Sequence, residues 1–396
     1  MAEKPATPAE LARATERVEA AFVATGKRLE RLIHQRGVVP VRRLIEQAMA
    51  DLERKIVSLG KPGETFTEVQ RQAILAQYRA LLVQLEPRMT RTLGEASREA
   101  QEQSIRDLVK LIAVGEAAFE GVVTPLPLEQ AARMAGIIDR DRASLLRQHG
   151  VSVRTYGIQS IGEMETVLSQ SFAQGMGYAE TVSQVLDYVE STRYRAERIV
   201  RTETSFAYNT THATAIDDAA ELVDGLMRRW TEFVNDQTGA PLDGRVANDS
   251  LVLHGQVCFQ PEGATFEPRT TFLLGGTGGF TMPPDRRVNA KLWGRRYAHP
   301  PNRPNDRSRL VPWKPTWSVP AYMVVNGQRM DVRKALELMK GAQVDEVLDV
   351  AEGEPIPEQT LASEAEVEQA RKDFAREQER RRAEAAAKRA KARKAK

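Results

Sequence analysis

The stretch RYRAERIVRTETSFAYNTTHATAIDDAAELVDGLMRRW, from Arg193 to Trp230, decides how this chain is read. Apolar or small residues recur at Ala196, Ile199, Val200, Phe206, Ala207 and Ala213, close to the 3.6-residue period of a helix. The spacing predicts one long helix or two in tandem. Glu203 interrupts the apolar stripe: it lies four residues after Ile199 and three before Phe206, on their face. A carboxylate there is either solvated at the edge of a narrow stripe or buried with a partner, because burying it alone is costly. Arg201 is two residues away and points elsewhere on a helix. A partner for Glu203 therefore has to come from a distant part of the chain.

Working outward, the first 230 residues read as helices punctuated by proline and glycine. Leu11, Val18, Phe22, Leu29 and Leu32 form one stripe, with Gly37 and Pro40 expected to break it. Val41, Leu44, Ile45, Ala48, Leu52, Ile56 and Leu59 form the next. A capping box at Thr65/Glu68 is expected to start a third helix, which Pro87 is expected to kink or end. Short helices are expected near Leu128–Ile138 and Asp139–Gln148, then an extended piece at Val151–Gly157. After Trp230 the composition changes to Gly, Pro, Asn and Asp, with short apolar runs at Leu251–Leu253, Gln256–Phe259 and Thr270–Leu274 that read as strands. Tyr322–Val325 and Gln328–Met330 around Asn326-Gly327 read as a hairpin, and Asp331 as the cap of a helix through Lys340. The fold class expected is α+β: a mainly helical N-terminal region (1–124), a short-stranded module (125–320), a hairpin–helix unit (321–354) and a charged, basic tail (355–396).

Of 396 residues, only 6% are aromatic and 28% are charged, which suits long helices with solvated faces. The single cysteine, Cys258, excludes an internal disulfide and any multi-cysteine metal site. No window holds eighteen uninterrupted apolar residues, so no membrane span is expected. The glycine run Gly275–Gly279 lacks the Lys-Ser/Thr of a phosphate-binding loop. Between Arg380 and Lys396, nine basic residues (Arg380, Arg381, Arg382, Lys388, Arg389, Lys391, Arg393, Lys394 and Lys396) face the single acid Glu384. Lys and Arg on such an arm suffice for sequence-independent contact with phosphates.

Arg201-Thr202-Glu203, Ala207 and Asn209, Trp230, Asp236, and Leu242-Asp243-Gly244 follow one another in an order that resembles phage head morphogenesis proteins, the Mu F-like minor head proteins of tailed phages. That pattern closes with a His-Pro-Asn-Cys-Arg-Cys box before a proline. Here Pro304-Asn305-Asp306-Arg307-Ser308 precedes Pro312, so Asp306 and Ser308 stand where the two cysteines would be. The resemblance covers about 193–312. It implies a minor capsid protein that binds the portal, and in addition the scaffold or major capsid protein, and that assists procapsid assembly, DNA packaging or genome ejection. It also implies a place inside the procapsid and virion after synthesis in the host cytoplasm, with the basic tail meeting phage DNA. The motif residues so implied are Arg201, Glu203, Asn209, Trp230, Asp236, Asp243, Gly244, Pro304, Asn305 and Arg307.

No cofactor, metal or catalytic group is expected. Asp236, Asp243, His254 and Asp306 are the residues that could replace lost cysteines with an oxygen-rich site. The alternative function is a DNA-binding or toxin-like enzyme, an ADP-ribosyltransferase or nuclease. Arg201, Ser205 and Glu203 are similar in type to an ADP-ribosyltransferase set, but the glutamate pair such sites use after a strand is missing. Trp230, Trp293, Trp313 and Trp317, three of them among arginines, read as a small-domain core or partner contact in preference to a nucleic-acid surface. The partner expected for Glu203 is Arg307.

Overall fold

The structure is a computed structural model, and it describes residues 7–121, 128–232, 248–258, 272–274, 295–302, 306–325 and 328–341. The fold is α+β, with a long helical region leading into short antiparallel strands.

The chain opens with α1 (Pro8–Leu32), a π-helical turn (Ile33–Val38) and α2 (Val39–Val57), which run on without interruption. Thr7 caps α1 with a full capping box to Glu10. Contrary to the expectation from the sequence, Gly37 and Pro40 do not break the helix. Pro40 has no N–H for a helical bond to the carbonyl four residues back. The ladder re-registers instead, and the Val39 N–H reaches His34 O, five residues back. Gly37 faces Val200, whose Cγ1 occupies the space a Cβ would need.

Helix α3 (Glu68–Phe119) starts at Thr67, two residues beyond the expected cap, with Gln70 closing the box. Pro87 lies inside α3 without ending it. Helix α4 (Leu128–Ala173) absorbs the two short helices and the extended piece expected between 128 and 157. Helix α5 (Tyr178–Ala220) ends before Trp230, which lies on strand β1 (Met227–Thr231) and not on the helix the periodicity predicts. Leu251–Leu253 is likewise helical, in the short α6 (Asn248–Leu253).

Strand β2 (Val257–Cys258) and β5 (Arg309–Trp313) flank β1 in a three-stranded antiparallel sheet, order β2-β1-β5, with Trp230 opposite Leu310. Strands β3 (Phe272–Leu273) and β4 (Arg296–Tyr297) form a second pair. Strands β6 (Tyr322–Val325) and β7 (Gln328–Asp331) form the expected hairpin, whose turn residues lie outside the described set. Asp331 caps α7 (Val332–Gly341) through the Arg333 N–H, at 2.9 Å.

Helices α3, α4 and α5 pack pairwise, and α2 joins α3 and α5. Among the described residues, three apolar clusters form the core. One fills the bundle, including Ile45, Tyr78, Leu82, Met164 and Val185. A second joins Leu108, Ile112 and Ile216 to Trp230, Val252, Phe272 and Leu310. A third joins Val18 and Phe22 of α1 to Val311, Trp313, Trp317 and Val332. The N-terminal helix and the sheet thus share a core. Trp230, Trp313 and Trp317 are all fully buried, and burying each ring removes roughly 150–250 Å² from water, about 4–6 kcal/mol of gross transfer free energy.

Candidate functional site: the junction of α5 with the closing strand

The motif residues on α5 face a strand that arrives about a hundred residues later. Asn209 is fully buried. Its Nδ2 donates to Ser205 O at 3.0 Å and to Ser308 O at 3.3 Å, while its Oδ1 accepts the Leu310 N–H at 2.9 Å. Strand β5 is an edge of the sheet, and the amide satisfies backbone groups on its open side.

The residues in the cysteine positions of the resembled box are tied into a polar knot. The Ser308 hydroxyl lies 2.7 Å from Glu232 Oε2 and 2.8 Å from Asp306 Oδ1. Asp306 also accepts the Ser308 N–H at 3.1 Å, the Ser250 hydroxyl at 3.3 Å and the Asn302 N–H at 3.1 Å. The Glu232 N–H donates to His254 Nδ1 at 3.1 Å, so that ring nitrogen carries no proton. Of the four residues considered as an oxygen-rich metal set, Asp306 and His254 are therefore each engaged by protein donors, and Asp236 and Asp243 lie outside the described residues. Among the described residues, no three His, Cys, Asp or Glu side chains come together as a metal cluster.

Glu203 is buried, and its partners are distant in sequence, but they are neutral. Gln148 Nε2 donates to its Oε2 at 2.8 Å and the Ser152 hydroxyl to its Oε1 at 2.7 Å, both from α4. The expected pair with Arg307 does not form: Arg307 is half-buried in the closing box, whereas Glu203 faces α4. Arg201 turns to α1 instead, 3.6 Å from Glu30. Ser205 is buried beside Asn209, with its Oγ 3.4 Å from the amide. Arg201, Ser205 and Glu203 thus serve three different neighbours and do not converge on one point. Tyr194, Arg195, Glu197, Arg198 and Arg201 line a shallow open groove on the outer face of α5.

Two anchors were not singled out in the sequence. Arg309 on β5 reaches across to α1 and donates to Phe22 O; its guanidinium occupies the space beside Gly26 that any side chain would fill. Asp107 on α3 accepts Arg28 at 2.6 Å, Gln103 at 2.9 Å and the Tyr208 hydroxyl at 3.0 Å. Burial, with the Asp107 charge beside it, pushes the Tyr208 hydroxyl well above its ordinary range. The signal for Asp107 was present: like Glu203, it sits on an apolar helical face, four residues before buried Leu111 and seven after buried Ala100. Arg309 carried no comparable signal, because nothing local marks a strand arginine as inward-facing.

Pro304, Asn305, Asp236, Asp243, Gly244, Trp293 and the basic residues from Arg380 to Lys396 lie outside the described residues. Trp230, Trp313 and Trp317 are core residues. No family model, curated protein or solved structure matches the chain.

Proposed function

We propose that this chain is a minor head protein of a tailed phage that docks on the portal, and that its work is assembly and not chemistry. The observation that supports this reading is the use the chain makes of its dispersed motif. Asn209 holds the backbone of the closing box and β5, Trp230 pairs with Leu310 across the sheet, and Asp306 and Ser308 knot the box to β1 and α6. Residues spread over more than a hundred positions build one interlocked support, as a docking module requires. Scaffold or major capsid protein are further partners under this reading, the procapsid interior is its location, and the basic tail contacts packaged DNA without reading sequence. Among the described residues no helix is long and apolar enough to cross a membrane. The enzymatic alternative built around Arg201 and Glu203 gains no support, since the two side chains turn to α1 and α4 respectively.

The test is co-expression of the tagged chain with the portal protein of the same phage genome, followed by purification in 0.5 M salt to strip charge-only contacts. A stoichiometric complex is expected. Clean separation of the two proteins would end the reading.

A further inference from the structure

The attachment of α4 changes character along its length. Toward its start, Ile137 belongs to the apolar cluster around Trp230. From Val153 onward, Val153, Tyr156, Met164 and Leu168 belong to the bundle core. Between them, no described side chain of 138–152 belongs to any of the three apolar clusters. That stretch is held by a polar seam. Gln148 and Ser152 hydrogen-bond to Glu203 on α5, and His149 Nε2 lies 3.3 Å from the Ser97 hydroxyl on α3. The apolar additions are Ile138 and Leu145, both buried though outside those clusters, and Leu146, which sits over Gly94.

His149 is fully buried, and its Nδ1 has no hydrogen-bond partner among the described residues. A buried group left unpaired costs free energy that solvation would return. The segment also has little helical strength of its own. Among the described residues, nothing packs within 4 Å of where a Cβ would stand on Gly150, or on Gly157 just beyond the segment, and a glycine inside a helix costs roughly 0.5–1 kcal/mol relative to alanine. On its outer surface Val151 and Ile158 are about two-thirds exposed.

We propose that the middle of α4, about residues 138–152, is a latch that opens from the α3–α5 pair without global unfolding, and that opening is coupled to uptake of a proton by His149. On opening, water replaces the present partners of these groups. Glu203 exchanges two neutral donors for solvent, and His149 gains a site for its second ring proton. The charges of the packed elements do not oppose this. On α5 the titratable group of the seam is Glu203. On α3 the charged residues flanking Ser97 lie outward: Arg98 pairs with Glu102 at 3.3 Å, Glu99 with Arg36 at 3.0 Å, and Glu95 is exposed. On α4 itself Arg142 and Arg147 are exposed. Burial alone holds the His149 imidazole down to about 4, so a proton binds the open form before the closed one.

Native hydrogen exchange of the full chain, read by mass spectrometry between pH 7.5 and 4.5 and corrected for intrinsic exchange rates, tests this. Amides of 142–152 are expected to open more often than those of α3 and α5 at every pH. Their opening is expected to rise on the order of a hundredfold over this range, from the difference between an ordinary histidine and one near 4. H149Q, which cannot titrate, is expected to remove that rise. S97A loses the hydroxyl partner but keeps the imidazole, so opening should increase at all pH values and the rise should persist. Exchange of 142–152 in step with α3 and α5, or a rise that survives in H149Q, overturns the proposal.

Discussion

Asn209 Oδ1 accepts the backbone N–H of Leu310 at 2.9 Å, while the amide's other end donates to Ser308 O. A side chain on a helix thereby takes the place of a neighbouring strand along the open edge of β5. The geometry needs a group with a donor and an acceptor side by side, which among short side chains only asparagine supplies.

Asn209→Ala is therefore expected to strand a buried N–H and a buried carbonyl on β5, at a cost of about 2–4 kcal/mol. Asn209→Asp is expected to do at least as much harm, since a carboxylate accepts from Leu310 but cannot donate to Ser308. Urea unfolding monitored by tryptophan fluorescence reads both, because Trp230 and Trp313 lie in the same sheet. A loss below 0.5 kcal/mol, the size expected of a neutral surface change, would show that the pairing carries no weight.

Glu203 meets Gln148 and Ser152 and no arginine among the described residues. Glu203→Gln is expected to cost about 1 kcal/mol, the scale of exchanging neutral hydrogen bonds, and not the roughly 3–5 kcal/mol of a broken buried ion pair. Combined with Arg307→Met, the two effects are expected to add within about 0.5 kcal/mol, as for residues without a shared contact. A coupling above 1 kcal/mol in the double-mutant cycle would place the two side chains in contact after all.

Gly115 on α3 lies flat against the Trp317 ring, which also stacks on Phe119 with centroids 6.3 Å apart. Gly115→Ala forces the indole out of its seat. A loss of about 1–3 kcal/mol is expected from such overpacking, against a gain of up to about 1 kcal/mol had the glycine stood on an open helical face. The sign of the change in melting temperature decides between the two.

His212 is fully buried, donates its Nδ1–H to Ser104 O over 2.9 Å, and stacks on Tyr208. Burial, partly offset by the nearby Asp107 charge, lowers it to about 4. The unfolded chain takes up this proton first, so the stability held at neutral pH declines as pH falls from about 6.5 towards 4. The decline from this residue is about 3 kcal/mol at most. Unfolding midpoints measured from pH 7.5 to 4 are expected to follow that window, and His212→Gln to flatten it even if it lowers the plateau. A profile that keeps its slope in the variant would assign the effect elsewhere.

Removing residues 380–396 is expected to weaken nonspecific DNA binding and to flatten its dependence on salt, because nine cations leave together. Melting of the truncated protein is expected to match the full chain. Unchanged affinity and salt slope would move the DNA contact to another surface.

Much of this architecture was legible. Helices α1, α2, α3 and α5 follow from stripes such as Val41, Ile45, Ala48 and Leu52, and the final hairpin and helix from Asn326-Gly327 and Asp331. That Glu203 is either solvated or buried with a partner far away in sequence followed from its place on the apolar face, and the structure shows the second. The identity of those partners did not, because Gln148 and Ser152 look like ordinary surface residues in a segment whose glycines argue against a helix. Packing against α3 and α5 overrides that local weakness in α4. Trp230 was misplaced because an amphipathic run gives no warning of a turn when the break is a lone Gly225 in the left-handed region, φ 71°. Three apolar residues at Leu251–Leu253 fit a strand or a short helix equally, and only tertiary contacts choose.

The link between Arg309 and Phe22 spans 287 positions. During synthesis at about 5–20 residues per second, α1 therefore emerges from the ribosome some tens of seconds before the strand that completes its seat. Throughout that interval Val18 and Phe22 have no indole or valine partner from β5 to cover them. The nascent chain carries a sticky amphipathic segment in α1 until the 287 residues that separate Phe22 from Arg309 have been made. Completion of the third core is a late event that folding of the bundle cannot bring forward, and the same interval is when a chaperone, or an already assembled partner, has access to that face.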